Sequence, residues 1–132
     1  MTGRHGVAAA ALFTLLCAGC GGTATQSPAI THSASPAFGL TARQVVDALA
    51  SGGLVVLHPV DTTRADCASA GCSQAITTDR FRVLSFASSG AAQKYAGARG
   101  LEQVENVVVA FAPPVPPEER TSIWAAITKT MR

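Results

Sequence analysis

Lysine is nearly missing from this 132-residue chain: only Lys94 and Lys129 stand among ten Lys and Arg residues, which against eight Asp and Glu leave a net charge of +2. A surface that gains affinity by neutralising many phosphates needs a larger, clustered excess, so nucleic acid is excluded as the expected partner. Runs of Lys and Arg that would hold an anionic membrane surface are lacking as well. Histidine is equally scarce. His58 is the only one beyond residue 37, and no spacing brings it to Ser85, Ser88 or Ser89 as the base of an acyl-transfer pair. The chain has no G-x-G-x-x-G segment and no P-loop. Asp61, Asp66 and Asp79 lack the spacing of a calcium loop, and Glu118-Glu119 reads as the acidic start of a helix rather than an acid/base pair. What remains is apolar. With 48% hydrophobic and 14% charged residues the composition fits one small globular domain and excludes disorder along the whole length.

The N-terminal segment is laid out as an export signal. Arg4 and His5 precede ten uncharged apolar residues, 7–16 (VAAAALFTLL), and the small Ala18 and Gly19 follow. Ten helical residues extend about 15 Å, roughly half of a bilayer's hydrocarbon core, so the stretch is read as removed rather than retained. It ends in Leu16-Cys17-Ala18-Gly19-Cys20. This segment resembles the lipobox of bacterial lipoproteins, departing from that pattern in having Cys17 where a leucine is usual. The resemblance covers the N-terminal segment only. It implies a diacylglycerol on the Cys20 sulfur, with or without a further N-acyl chain, and attachment to the outer face of the bacterial cytoplasmic membrane. Each buried methylene adds about 0.8 kcal/mol of membrane affinity, so two or three acyl chains make a lasting anchor.

Residues 20–37 carry the lipidated cysteine and then a linker of Gly, Ser, Thr, Ala and Pro without a charge, which cannot bury enough surface to fold. As a flexible coil it holds the following domain roughly 20 to 25 Å from the anchor. The division is thus 1–19 signal peptide, 20–37 anchor and linker, and 38–132 a single domain.

Within that domain Thr41 and Gln44 have the spacing of a capping box, and Gly52-Gly53 supplies a stop, which predicts a helix over Ala42–Ser51. Residues 54–58 (LVVLH), closed by Pro59, predict a strand. Residues 59–79 read as a polar loop. A second strand is expected over 80–87, a helix over 91–98 and a central strand over 104–112, where the run from Val107 to Phe111 is continuously apolar. Pro117, Glu118 and Glu119 start a last helix, along which Ile123, Ile127 and Met131 recur every four residues. The order α-β-β-α-β-α predicts a small α+β sandwich. Its three-stranded, split βαβ-like sheet has residues 80–112 as a parallel crossover unit, the first strand between or beside the other two and antiparallel to them, and the helices on one face.

Chemistry is concentrated at Cys67 and Cys72. In an exported protein the even pair implies a disulfide closing a short loop, with Gly71 providing the bend. Two other readings use the same atoms: a redox-active pair, with Asp66 raising and Arg64 lowering the thiol pKa, or a zinc or copper site of His58, Cys67 and Cys72 with Asp61 or Asp66. Trp124 reads as a half-buried core edge, or, if exposed, a contact point for a partner. Arg80 and Arg82 read as a solvated strand face or as a grip on an anionic partner. The chain is therefore expected to be a non-enzymatic, membrane-anchored envelope lipoprotein, a binding or assembly module stapled by Cys67 and Cys72, with another envelope protein as partner and no cofactor beyond its covalent lipid. The alternative is a thiol-redox or metal-binding lipoprotein.

Overall fold

The computed structural model describes residues 39–132; the expected signal peptide, Cys20, the expected linker and Phe38 fall outside them. The chain enters at Gly39, whose φ of +84° is open to glycine and costly for other residues. Helix α1 (Ala42–Ser51) then starts on the predicted capping box: Thr41 Oγ1 accepts from the Gln44 N–H at 3.2 Å, and Gln44 Oε1 accepts from the Thr41 N–H at 2.9 Å. Ala42, Val45, Val46 and Leu49 form its buried face.

Residues 54–58 are the first departure from expectation. Leu54 and Val56 pack on the core while Val55 (75% exposed) and Leu57 (40%) face solvent, so the side chains alternate as in a strand. The backbone nevertheless joins no ladder; Leu57 C=O accepts from the Asp79 N–H at 3.2 Å. His58, at φ +47°, and Pro59, which has no N–H, turn the chain first. Strand β1 is only Val60–Asp61.

The expected polar loop holds two elements. Helix α2 (Thr63–Ala70) buries no residue fully, so it has no apolar stripe to betray it, and it ends at Gly71 in the left-handed conformation (φ +71°). Strand β2 (Gln74–Thr77) follows, with Ala75 and Ile76 pointing to opposite faces and both buried. Strand β3 (Phe81–Ser85) lies where predicted. Helix α3 (Ser89–Gly97) begins two residues earlier than predicted because Ser88 caps it, its hydroxyl accepting from the Ala91 N–H at 3.2 Å. The expected strand over 104–112 is a hairpin: β4 (Glu102–Val104) and β5 (Val107–Phe111) join through a two-residue turn at Glu105 (φ +51°) and Asn106. Helix α4 (Pro117–Thr130) starts with proline in its first turn and Glu118 and Glu119 at its positive end.

Among the described residues the fold is mixed α+β with four helices and a five-stranded sheet, not the three strands expected. Its order is β1-β2-β3-β5-β4 and every neighbouring pair is antiparallel. Because β3 and β4 each oppose β5, they run parallel to one another. The expected parallel crossover between the strands of residues 80–112 is thereby corrected: β3 and β5 are antiparallel neighbours, and the strand parallel to β3 is β4, with β5 between them. The helices also cover both faces rather than one. Ile76, Phe81, Val83, Val107 and Val109 meet α1 and α4 on one side, whereas Ala75, Leu84, Phe86 and Val108 meet α3 and the Cys67–Cys72 region on the other.

Asn106 ties the entry to this sheet. It is 2% exposed, and its Nδ2 donates to Leu40 C=O at 3.1 Å and Phe86 C=O at 3.2 Å, while Oδ1 has no partner. A Cβ at Gly39 would overlap that amide outright. Gly39→Ala is accordingly expected to destabilise the domain by about 1–3 kcal/mol, from the left-handed backbone and the displaced amide together, measured as a lower urea midpoint at unchanged m-value.

Candidate functional site

The disulfide is closed. Cys67 lies in the last turns of α2, Gly71 donates its N–H back to Cys67 C=O at 2.9 Å, and this left-handed corner brings the Cα atoms of Cys67 and Cys72 to 4.6 Å with the sulfurs bonded. Ser73 N–H then donates to Ser85 C=O at 2.7 Å, so the bridge fastens the end of α2 to the chain just before β2. Both cysteines are half-buried against Ala75, Leu84, Phe86 and Val108.

The rest of α2 is held by polar contacts. Asp61 Oδ1 accepts from the Thr63 N–H at 2.9 Å. Thr62 Oγ1 donates to Asp66 Oδ2 at 2.6 Å and lies 2.9 Å from Thr77 Oγ1. Arg82 completes a ring: its Nε donates to Thr77 Oγ1 at 3.1 Å and its Nη1 pairs with Asp66 Oδ1 at 3.1 Å. The Asp66 carboxylate, expected beside the thiols as a pKa influence, is thus engaged by Arg82 and Thr62.

The structure sorts the remaining candidates. His58 does not join the cysteines: Nδ1 pairs with Asp79 Oδ2 at 2.8 Å on the surface, and among the described residues no group of three or more His, Cys, Asp or Glu side chains is placed to hold a metal ion. Arg80 and Arg82 do not share a face. Arg80 precedes β3 and pairs with Glu119 of α4, while Arg82, inside the strand, reaches the α2 side. Both guanidinium groups form ion pairs within the domain and remain partly exposed. Trp124 is half-buried and packs on the α1/α4 core, as a core edge should.

Beside the bridge lies a hollow of about 370 Å³ between α2 and α3. Ser69, Ala70 and Gly71 make one wall. Across it the Phe86 and Tyr95 rings meet at 5.3 Å with a tilt of 42°, and the Arg99 guanidinium lies 3.9 Å over the Tyr95 ring. Lys94 is on the same rim. The sequence carries one signal for this place: Tyr95 and Arg99 stand four apart, a helical neighbour spacing. Arg99, however, falls past the Gly97 at which α3 ends, and nothing in the sequence sets it against α2.

No helix among the described residues is long and apolar enough to cross a membrane. No family model matches the chain, and neither a curated protein nor a solved structure does.

Opening the bridge in a Cys67→Ser/Cys72→Ser variant is expected to cost about 2 kcal/mol, the chain entropy of so short a loop, read from chemical denaturation. The same bridge is expected to show a reduction potential below roughly −300 mV, as a structural staple does; a value near −200 mV would mark a redox-active pair instead. For Asp61, the Thr63 hydroxyl and then the Thr63 N–H hold the carboxyl below its ordinary 3.8. A lowered folded value means the contribution is present above pH 3.8 and is lost as pH falls through that lower value. Asp61→Asn should therefore flatten the acid limb of the stability curve below pH 3.8, and an NMR titration of Asp61 should place its midpoint under that mark.

Proposed function

We propose that this chain is an exported lipoprotein, anchored through a diacylglycerol on Cys20 to the outer face of a bacterial cytoplasmic membrane, whose domain is a non-enzymatic binding or assembly module of the cell envelope. The observation that carries the reading is the Cys67–Cys72 disulfide, because such a bridge persists in an oxidising compartment. Export to one is what residues 1–19 and the Leu16-Cys17-Ala18-Gly19-Cys20 segment would provide. The uncharged linker fits a tether that lets the domain reach a neighbouring envelope protein without leaving the membrane.

Intact-mass analysis of the protein extracted from membranes tests the anchor. The mature chain should begin at Cys20 and carry the added mass of a diacylglycerol. Cys20→Ala should accumulate at the precursor mass, because lipidation precedes cleavage in the proteins this segment resembles. An unlipidated chain recovered in the soluble fraction would overturn the proposal.

A further inference from the structure

We propose that the hollow between α2 and α3 is a binding site for a small, freely diffusing amphipathic anion: a carboxylate or phosphate monoester on a short apolar body. This deepens the binding-module reading and rests on it. The anchor is read separately at Cys20, so the two can fail independently.

Three observations converge. The volume, about 370 Å³, falls within the roughly 300–1,000 Å³ of small-molecule sites and is too small for two acyl chains. The lining is apolar at Ala70, Ala91 and the half-buried Tyr95 ring, against which the buried Phe86 ring packs, which suits a ring or a short chain. The rim carries two exposed cations, Lys94 and Arg99. Arg80 and Arg82 pair with carboxylates, and Arg120 donates to the Val115 and Pro113 carbonyls. Lys94 and Arg99, like Arg43, Arg64, Lys129 and Arg132, have no carboxylate partner among the described residues, and of these they alone line the hollow.

Arg99 is also prepositioned. With its central carbon 3.9 Å from the Tyr95 ring centroid, the Arg99 guanidinium is held at the rim by a cation–π contact, and a guanidinium binds an oxyanion with two parallel hydrogen bonds. Lys94 adds a point charge on the same side. An anionic head and an apolar body therefore find complementary groups within one hollow, whereas a bare anion would leave the rings unused and a neutral apolar molecule would leave both cations unpaired.

The disulfide sets one wall. Ser69, Ala70 and Gly71 are three of the four residues that the Cys67–Cys72 bridge spans, so the site's shape depends on the bridge staying closed. Ligand binding should follow the oxidation state of the pair without the pair reacting with the ligand.

The test uses the full chain as isolated, in the presence of phosphatidylcholine nanodiscs whether or not it is anchored to them, with Tyr95, the single tyrosine of the sequence, as an isotope-labelled NMR reporter. Hexanoate and hexyl phosphate are expected to shift the Tyr95 ring signals saturably, with millimolar affinity, and acetate and hexanol to bind about tenfold more weakly or less. Lys94→Gln/Arg99→Gln, two exposed positions whose exchange leaves the core intact, should lose about tenfold in affinity. Cys67→Ser/Cys72→Ser should weaken binding likewise. Acetate equal to hexanoate, no saturation, an unaffected cation-free variant, or unchanged binding in a bridge-free chain that keeps its near-UV circular dichroism would each overturn the proposal. So would a Tyr95 response that appears only when phosphatidylglycerol replaces phosphatidylcholine, since the occupant would then be a lipid headgroup.

Discussion

The structure depends on a sheet that is apolar on both faces. Strands β3 and β5, paired from Phe81 opposite Phe111 to Ser85 opposite Val107, send alternate side chains into two separate cores. Each face must be covered, and the described chain has four short helices for the task. On one side α1 and α4 bring Val45, Val46, Leu49, Ile123 and Ile127, which suffices for a continuous apolar layer. On the other, α3 offers only the small Ala92 and Ala96 as fully buried residues and α2 offers none. The second layer is therefore fastened by other means: the Cys67–Cys72 bridge, the polar ring of Thr62, Asp66, Thr77 and Arg82, and the Phe86–Tyr95 pair. A domain of this size gains modest stability from burial alone, and a staple belongs where the apolar cover is thinnest.

That division also explains what the sequence made legible. Helices α1 and α4 carry an apolar stripe and explicit end signals, Thr41 with Gln44 and Pro117 with two glutamates, and both lie where those signals put them. Helix α2 was invisible because α-helical periodicity registers only when a helix buries one face, and TRADCASA buries none. In the sequence the hairpin of β4 and β5 reads as one strand because Val104 and Val107 are both apolar and the intervening Glu105-Asn106 lacks the glycine that commonly marks so tight a turn. Residues 54–58 illustrate the reverse error. Their alternation is genuine, yet a strand needs a partner for its backbone, and His58 and Pro59 turn the chain before one is met.

Of the site, the bridge could be read from an even pair of cysteines together with the expectation of export, because that inference needs only composition and compartment. The surroundings could not. Arg80 and Arg82 look alike in a strand pattern, but the strand begins between them, which sends one guanidinium to α4 and the other to α2. The hollow is assembled from α3, the residues following it and the end of an unforeseen helix, a juxtaposition that belongs to tertiary structure alone.

The corner where the chain enters has a mechanical meaning. Gly39, Leu40, Asn106 and Met131 lie around one hollow, so the entry to the domain and the end of its last helix share a corner. A pull along the preceding residues is met first by the Asn106 hydrogen bond to Leu40 and next by the Thr41 cap of α1. Both are local bonds that load before the long β3–β5 ladder does. A force applied at Gly39 would therefore reach the first turn of α1 and the Asn106 turn of the β4–β5 hairpin before it reaches the bridge or the α2–α3 side.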